Sequence, residues 1–510
     1  MEGAKAASVE GLVDCLIQND VSNFRGSDFE EMLNFSIQNL RYTESNVPKP
    51  SVLIVPQSKR EVQAAVTCCR QQGFQIRVRS GGHGYEGTSC TAEEPFAIID
   101  LVKLNAVNVD LASETAWLQA GATLGETYHA ISQASPAYGF SAGTCPTVGS
   151  GGHISGGGFG FLSRKYGLAA DNVVDAEVVD ANGVLLNRKS MGEDLFWAIR
   201  GGGGGCWGVV VAWKVKLLPL PPAVTVFNVS RLGLHTVTDL VYKWQTVAPN
   251  LEREFYLSAF VGANLPEAPN QGISATFKGM YLGPKTALLK SITSVFPDLG
   301  IESHDCEEVT WIQSVLFFSG LAPAQIHDKN NLRDRYLWDK NYFFAKSDYV
   351  REPIPESAIV GVCKILQQEP RGYIIMDPYG GKMAEIESDS IPFPHRAGNL
   401  YDIQYLVAWY DDNSNEANYI AWLRKLYAYM TPFVSNNPRA AYVNYTDLDL
   451  GTMSLFSNET SPVDIARKWG EKYFLRNFER LVHVKTIFDP ENMFRNLQSI
   501  PPDMRLRDTI

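Results

Sequence analysis

Two glycine-dense stretches decide how this sequence can fold: RVRSGGHGYEG at residues 77–87 and GTCPTVGSGGHISGGGFG at residues 143–160. Such a density of glycine is unsuitable for the interior of a helix or a strand, because glycine loses the most backbone entropy on folding. Glycines also remove side chains from a loop and let backbone N–H groups point at an anion. Both stretches therefore predict loops that hold a phosphate-bearing ligand, with plain tight turns as the alternative.

A third run, RGGGGGCWG at residues 200–208, leaves the same two interpretations open. None of the runs is a G-x-G-x-x-G motif after a first strand, and none is a G-x-x-x-x-G-K-S/T loop. A Rossmann NAD site and a P-loop are therefore both disfavoured. Backbone contacts to a pyrophosphate remain the interpretation that suits the first two runs.

Each of the first two runs contains a nucleophilic side chain, His83 in one and Cys145 in the other. A neutral imidazole or a thiolate can attack an electrophilic position on an oxidised flavin ring. The alternatives are a hydrogen-bonding histidine and a small core cysteine. The residues alone leave these alternatives open.

The chain outside these loops is patterned as strands and helices. SVLIVPQ (51–57) predicts a buried strand, SKREVQAAVTCCRQQG (58–73) a helix begun by Ser58 and ended by Gly73, and FQIRVRS (74–80) the next strand. FAIIDLVKL, TAWLQAGA and VVDAEVVDANGVLL predict further strands. Prolines mark a boundary near residue 222, strand–helix alternation fills about 225–440, and a different C-terminal stretch follows.

Bulk composition narrows the class of protein. A chain of 510 residues predicts two or three domains, and its formal net charge of -11 argues against a nucleic-acid partner. No apolar run is long enough to span a bilayer, and MEGAKAASVE lacks the features of a signal peptide, so we expect a soluble, cytosolic or processed chain. No metal site is predicted. Four N-x-S/T sequons favour secretion only weakly; they begin at Asn34, Asn228, Asn444 and Asn458.

Six ordered motifs resemble the berberine bridge enzyme-like family of plant flavoproteins, within the vanillyl-alcohol-oxidase-type FAD-binding fold. They are RSGGHGYEG, AGTCPTVGSGGHISGGGFG, RGGGGGCWGVVVAW, IPFPHRAGNLYDIQY, YVNYTDLDLG and VKTIFDPENMFRNLQSIPP, and they cover nearly the whole chain. The resemblance implies an α+β architecture. Residues 1–225 and 441–510 would form a two-part FAD-binding domain, and residues 226–440 a substrate domain with an antiparallel sheet over the flavin.

By the same resemblance, FAD is bonded covalently through His83 and Cys145, which raises the reduction potential of the flavin. The other residues expected to bind the cofactor are Arg79, Ser80, Gly81, Gly82, Gly84, Val148, Gly149, Gly152, His153, Gly157, Gly158, Val209 and Asn492. The resemblance also implies a disulfide between Cys15 and Cys68, with Cys69 the less suitable partner. It implies a secreted or extracellular monomer whose signal peptide is absent from this chain, although a cytosolic location stays open.

The segment LYDIQYLVAWY (400–410) alternates as a strand, which places Asp402 and Gln404 on one face. The alternative is that this face of the strand lies at a solvent-facing edge of the sheet. In the family this strand faces the substrate. Alkaloid-cyclising members have Glu at the position of Gln404, and monolignol-oxidising members have Lys at the position of Asp402 and Tyr at that of Phe159. The acid here resembles carbohydrate-oxidising members, which pair a carboxylate with a tyrosine base, here Tyr445.

The expected reaction is removal of a hydride from a hydroxyl, at C1 of a mono- or oligosaccharide such as cellobiose, with oxygen reduced to hydrogen peroxide. Asp402 and Tyr445 are expected to remove the proton, Tyr85 to line the cavity, and Gln404 and Tyr442 to hold hydroxyls. Val148 matches members that react readily with oxygen. The alternatives are oxidation of a monolignol-like aromatic alcohol or an alkaloid-type substrate, a dehydrogenase using a quinone-like acceptor, and a non-catalytic flavin- or glycan-binding protein.

Overall fold

The computed structural model describes residues 7–24, 29–93, 95–321, 328–336, 340–410, 413–455 and 461–505. The strands are β1 (Asn23–Phe24), β2 (Val52–Ile54), β3 (Gln75–Arg79), β4 (Phe96–Asp100), β5 (Val107–Asp110), β6 (Thr115–Gln119), β7 (Tyr138–Gly139), β8 (Val173–Val179), β9 (Leu185–Leu186), β10 (Val209–Lys216), β11 (Leu218–Pro219), β12 (Val224–Leu232), β13 (Phe255–Gly262), β14 (Ser274–Tyr281), β15 (Cys306–Val309), β16 (Tyr342–Val350), β17 (Gly372–Pro378) and β18 (Tyr401–Trp409). The helices are α1 (Val9–Gln18), α2 (Phe29–Phe35), α3 (Lys59–Gln71), α4 (Leu124–Ala134), α5 (Ser150–Ser155), α6 (Ser163–Tyr166), α7 (Arg188–Ile199), α8 (Leu234–Val247), α9 (Lys285–Val295), α10 (Trp311–Phe318), α11 (Glu356–Leu366), α12 (Glu416–Met430), α13 (Pro462–Phe474) and α14 (Asn477–Phe488). This is an α+β architecture, as predicted.

A four-stranded sheet with the order β1-β2-β4-β3 positions the first glycine run. Strands β2, β4 and β3 are parallel, and α3 connects β2 to β3, which confirms the predicted strand–helix–strand unit. The hydroxyl of Ser58 accepts a hydrogen bond from the Glu61 N–H at 3.3 Å and caps α3. Strand β3 ends at Arg79, so the loop that begins at Ser80 leaves the carboxyl end of a parallel strand, where such sheets bind ligands.

A five-stranded antiparallel sheet with the order β5-β6-β10-β8-β9 follows. The segment VVDAEVVDANGVLL, predicted as a single strand, is two paired strands, β8 and β9. The carboxylate of Asp180 accepts hydrogen bonds from the Asn182 and Val184 N–H groups, both at 2.8 Å. Gly183 has a φ of 78°. This turn chemistry reverses the chain where the strand pattern alone suggests continuation.

The third large sheet has seven antiparallel strands in the order β15-β12-β14-β13-β17-β18-β16. One face packs on helices in a separate apolar core that includes Tyr401, Ile403 and Tyr405 of β18. The alternation predicted for β18 is therefore confirmed, since Asp402 and Gln404 lie on the opposite face. Helices α13 and α14 return to the other core, which also contains residues from the first 218 positions.

The Cys15–Cys68 disulfide joins α1 to α3, as the family resemblance implied, and Cys69 is a buried free cysteine. The disulfide closes a separation of 53 residues. Among the residues that the structure describes, no helix combines the length and the apolar character needed to cross a bilayer.

Arg164 in α6 ties the first part of the chain to the seven-stranded sheet. Its side chain is buried, and burial lowers the pKa of Arg164 to about 10, which leaves the guanidinium charged at neutral pH. It donates hydrogen bonds to five backbone carbonyls, those of Pro249, Leu251, Glu252, Phe255 and Tyr379. Each of these acceptors would lose a partner if the guanidinium were removed.

Replacing Arg164 with Met keeps most of the side-chain volume but leaves these buried carbonyls unsatisfied. We expect the free energy of unfolding to fall by more than about 3 kcal/mol, because each unmet buried acceptor costs about 1–3 kcal/mol. Urea titration monitored by tryptophan fluorescence measures the change. The exposed Arg505 provides the control, since Arg505→Met should alter stability by less than about 0.5 kcal/mol. Equal losses in the two variants would contradict this role of Arg164.

Candidate active site

The first two glycine runs meet backbone to backbone. A Cβ placed on Gly81 would lie 2.3 Å from the backbone nitrogen of Gly149, and a Cβ on Gly149 would lie 2.1 Å from the Ser80 hydroxyl oxygen. Gly82 adopts a φ of 72°, and a Cβ there would lie 1.8 Å from the carbonyl oxygen of Ser36. Only glycine allows this approach, which brings the loop after β3 against the segment before α5.

These loops form one wall of a cavity of about 420 Å³. The third glycine run and the C-terminal segment form other walls, and the seven-stranded sheet contributes Gln404. The sequence-predicted residues that line it are Ser80, Gly81, Gly82, His83, Gly84, Tyr85, Cys145, Val148, Gly149, Gly152, His153, Gln404, Tyr442 and Tyr445. Thus residues more than 350 positions apart in the chain face one space.

Thr147 lies between the two nucleophilic side chains. Its hydroxyl oxygen is 2.8 Å from Nε2 of His83 and 3.6 Å from Sγ of Cys145. The contact at Nε2 leaves Nδ1 as the ring nitrogen of His83 that is available to a ligand. Burial, followed by the charge of Lys340, lowers the pKa of His83 to about 4, so the imidazole is neutral at neutral pH. Burial raises the pKa of the Cys145 thiol, and hydrogen bonds from Thr147 oppose that rise.

His153 is a second neutral imidazole in the cavity wall. Its Nε2 accepts a hydrogen bond from the Gly143 N–H at 3.1 Å, and burial lowers its pKa to about 4. Its backbone carbonyl accepts a hydrogen bond from the Asn444 amide at 3.0 Å. The His153 side chain therefore holds the backbone at the start of the segment that carries Cys145.

Aromatic and amide groups meet at the end of the cavity that faces the sheet. The rings of Tyr85 and Tyr445 stack with centroids 5.3 Å apart, and the Gln404 amide donates a hydrogen bond to the Tyr85 hydroxyl. Burial raises the pKa of both phenols well above the ordinary value. Tyr445 is thus a weak base unless another group takes its own proton at the same time.

Asp402 lies on the same sheet face as Gln404 but outside the wall of the cavity. Its side chain is buried, and its Oδ1 has no hydrogen-bond partner among the described residues. Burial, together with the charge of Asp377, raises the pKa of Asp402 well above the usual range of a carboxyl group. The negative charge of Asp402 contributes to the raised pKa of Tyr445.

Comparison with known proteins identifies the family. A family model described as an FAD binding domain matches residues 50–188, and one described as berberine and berberine like matches residues 441–501. Berberine bridge enzyme-like D-2 of Nicotiana tabacum is 53% identical, over 98% of this chain and 92% of its own. The chain belongs to the berberine bridge enzyme-like family. Reticuline oxidase of Eschscholzia californica is 47% identical, over 96% of this chain and 91% of its own.

Solved structures of family members agree with this assignment. Berberine bridge enzyme from Eschscholzia californica matches with a TM-score of 0.92 and 46% identity, covering 96% of this chain and 99% of that chain. A variant of Phl p 4 described as a glucose dehydrogenase matches with a TM-score of 0.91 and 42% identity, covering 97% and 100%. This member of the berberine bridge enzyme-like family is an FAD-dependent oxidoreductase, and the predicted FAD-binding fold is confirmed.

The cavity of this family member suits FAD. A Cβ on Gly152 would meet no atom within 4 Å, and those on Gly203, Gly204 and Gly205 would meet none closer than 3.7 Å. These glycines therefore leave open space along the wall, which side chains would occupy, and they expose backbone to a ligand. The C-terminal segment adds polar lining groups, Asn496, Gln498 and Ser499.

Six residues predicted to act on the cofactor or substrate lie outside the wall: Arg79, Gly157, Gly158, Val209, Asp402 and Asn492. Arg79 is buried, its guanidinium 2.6 Å from the carboxylate of Asp100, and it donates to the carbonyl of Leu33. Tyr442, expected to hold a sugar hydroxyl, does line the cavity, and its own hydroxyl accepts hydrogen bonds from the N–H groups of Gly158 and Phe159. The SGGG segment thus packs on the C-terminal segment.

The third glycine run is the main feature that the sequence left undecided. In the structure it lines the cavity over Gly202–Cys206. From the sequence, tight turns explained the same glycine pattern equally well. Its close spacing of glycines was the available signal. Asn444 begins a sequon, but it lines the cavity and donates a hydrogen bond to the His153 carbonyl, which makes it unsuitable for a glycan. Asn228 is exposed, and Asn458 lies outside the described residues.

Gly152 provides a test of the cavity. Gly152→Val puts a side chain into open space without striking the protein, so the flavin-free fold should keep its unfolding temperature. Overlap with FAD should cost about 1–3 kcal/mol, roughly a 5- to 150-fold loss of affinity. Flavin absorbance per purified chain measures it. Ala134→Val, at the exposed end of α4, is the control and should keep full flavin content. Full flavin content in both variants would show that FAD does not bind beside Gly152.

Proposed function

We propose that FAD is bonded to this chain at two points, through His83 and Cys145. Support comes from their common cavity and from the Thr147 hydroxyl between them. The lowered pKa of His83 favours attachment, because only a neutral imidazole is nucleophilic. The glycine loops would hold the rest of the cofactor through backbone groups, and the relatives described as berberine bridge enzymes belong to the same family.

Acid precipitation tests the two bonds separately. The native protein should stay yellow in the pellet, and His83→Ala or Cys145→Ala alone should retain flavin through the remaining bond. The double variant should release all of its flavin. Mass spectrometry of proteolytic peptides locates each attachment. Release of flavin from the native protein would mean that neither bond exists. Release from one single variant would mean that only the bond removed in that variant exists.

We further propose that the protein oxidises a substrate hydroxyl, with C1 of a mono- or oligosaccharide such as cellobiose as the favoured position. The observation that carries this proposal is the cavity shared by the attachment residues with Tyr85, Gln404 and Tyr445. FAD, when bound, supplies the hydride acceptor. The chain must then take the hydroxyl proton, and Tyr445 is the group in the wall that can receive it while passing its own to a carboxylate.

Asp402 is the carboxylate proposed for that step. Its acceptor atom Oδ1 is buried without a partner among the described residues, and its charge acts on Tyr445. Gln404 cannot take a proton, which disfavours a mechanism that needs an acid at that position. The aromatic rings around the cavity suit the apolar faces of a pyranose. A relative of similar fold is described as a glucose dehydrogenase.

The alternative is an alkaloid-type or aromatic alcohol substrate, and its support is the family relative named reticuline oxidase. An anaerobic screen of sugars, monolignols and reticuline, followed by loss of flavin absorbance, separates the two. Val148 lines the cavity beside Cys145, and its small side chain would leave oxygen a path to the flavin. Oxygen is therefore the proposed electron acceptor, and hydrogen peroxide the product.

Replacing Asp402 with Asn removes the proposed proton acceptor at constant size. We expect the rate of anaerobic flavin reduction by cellobiose to fall at least about 10-fold, because general-base catalysis contributes roughly 10²–10⁴-fold. Stopped-flow absorbance at the flavin maximum measures it. The exposed Asp298 gives the matched control, and Asp298→Asn should be neutral. An unchanged rate in Asp402→Asn would remove this residue from the mechanism.

A further inference from the structure

Asp402 has a second aspartate beside it on the substrate-facing side of the sheet. In the antiparallel pair of β17 and β18, Asp377 is directly opposite Asp402. Residues in that relation have Cβ atoms about 4.5–5.5 Å apart and point to the same face. The other neighbouring strand, β16, places Tyr349 opposite Asp402. Two carboxyl groups therefore lie side by side on the sheet, that of Asp402 buried and that of Asp377 half-buried.

Neither carboxyl group is paired with a cation. Among the described residues, no arginine, lysine or histidine forms an ion pair with Asp377 or Asp402. The titratable groups that face Asp402 from neighbouring elements are phenols, those of Tyr256, Tyr349, Tyr379, Tyr442 and Tyr445. Tyr256 of β13 donates a hydrogen bond to Oδ1 of Asp377. Two negative charges side by side, one on a buried and one on a half-buried side chain, are strongly unfavourable when no cation of the described residues pairs with them.

The unpaired Oδ1 of Asp402 indicates how the charge of the two carboxyl groups is reduced. Asp402 is 2% exposed, and its Oδ1 has no hydrogen-bond partner among the described residues. A buried carboxylate oxygen without a donor is costly. A proton on one carboxyl group that also bonds the other would remove both problems, as two aspartates do when they share one proton.

We propose that Asp377 and Asp402 share one proton, and that Asp377 is the final acceptor of a relay running from Tyr445 through Asp402. The proposal rests on the proposed hydroxyl oxidation. In the reaction the substrate O–H proton passes to the Tyr445 oxygen, the Tyr445 proton to Asp402, and the Asp402 proton to Asp377. FAD, when bound, would accept the hydride and its two electrons from the substrate carbon. The pair gains one proton, which it later returns to solvent.

The surroundings of the two carboxyl groups indicate which aspartate holds the proton and which is ionised. Burial, with the charge of Asp377, raises the pKa of Asp402 well above its usual range, so Asp402 holds the shared proton at neutral pH. Burial raises the pKa of Asp377 to about 6, and the hydrogen bond from Tyr256 opposes the rise. Asp377 accepts the hydrogen bond from Tyr256, whereas Asp402 Oδ1 has no donor among the described residues, so Asp377 is the ionised member at neutral pH. A protonated Asp402 can accept from Tyr445 only if it passes its own proton on, which makes Asp377 a positioning residue for the base.

Infrared difference spectroscopy of the holoenzyme, titrated with acid and alkali, tests the shared proton without any substrate. The wild type should show at pH 7 a protonated carboxyl band that Asp402→Asn removes, whereas the band of Glu86, whose pKa burial raises to about 7, should be the same in both proteins. Asp377→Asn should move the titration of the remaining Asp402 to lower pH, since a neighbouring negative charge is gone. Absence at pH 7 of a carboxyl band that Asp402→Asn removes, or a titration of Asp402 that does not change in Asp377→Asn, overturns the proposal.

The pH profile of anaerobic flavin reduction by cellobiose tests the relay. The wild-type rate should fall as the pH drops through about 6, because Asp377 is then already protonated. Asp377→Asn should lower the rate about 10-fold or more and abolish this dependence. Asp377→Glu should restore both in part. Tyr256→Phe, which removes only the donor to Asp377, should move the fall in rate to higher pH.

The relay is overturned if Asp377→Asn keeps both the wild-type rate and the fall in rate below about pH 6. It is also overturned if the pH profile of Tyr256→Phe is identical to that of the wild type. Flavin content per chain verifies that each variant has folded around its cofactor. If cellobiose fails to reduce the wild-type flavin, the proposed substrate is wrong, and the infrared titration alone then decides whether the two aspartates share a proton. The two failures are therefore distinguishable.

Discussion

The close contact of two glycine backbones is the constraint on which the site depends. Gly81 and Gly149 approach so closely that a Cβ on either would overlap the other chain segment. That approach places the loop after β3 against the segment before α5 and turns His83 and Cys145 toward one cavity. A side chain at either glycine would push the two loops apart, and the hydroxyl of Thr147 could then no longer lie between the imidazole and the thiol.

A second set of contacts holds the distant ends of the chain around this centre. A Cβ on Gly156 would lie 1.9 Å from the Asn444 side chain, so the C-terminal segment packs directly on the SGGG backbone. Arg164 joins α6 to carbonyls of the seven-stranded sheet. The cavity therefore lies among parts of the chain that are far apart in sequence. Its shape depends on backbone hydrogen bonds as much as on apolar packing.

The electrostatics of the cavity follow from burial rather than from charge pairing. His83 and His153 are neutral because burial disfavours their cationic forms. The phenols of Tyr85 and Tyr445 are protonated for the same reason, and among the described residues no cation forms an ion pair with the two aspartates of the sheet. Such an environment favours movement of a proton between neighbours over the storage of separated charges. It also keeps His83, the proposed attachment residue, in its nucleophilic neutral form.

The sequence by itself determined the family, the glycine loops and the alternation of β18, because these depend on local residue types and spacing. It also singled out His83 and Cys145, the proposed attachment residues. The Cys15–Cys68 disulfide was implied by the resemblance and is present. Only the tertiary structure decided that the third glycine run lines the cavity, that Tyr442 supports the SGGG backbone, and that Asp402 lies behind the wall opposite Asp377. Strand register and packing between distant segments set these positions, and residue spacing within one strand carries no information about which strand will lie beside it.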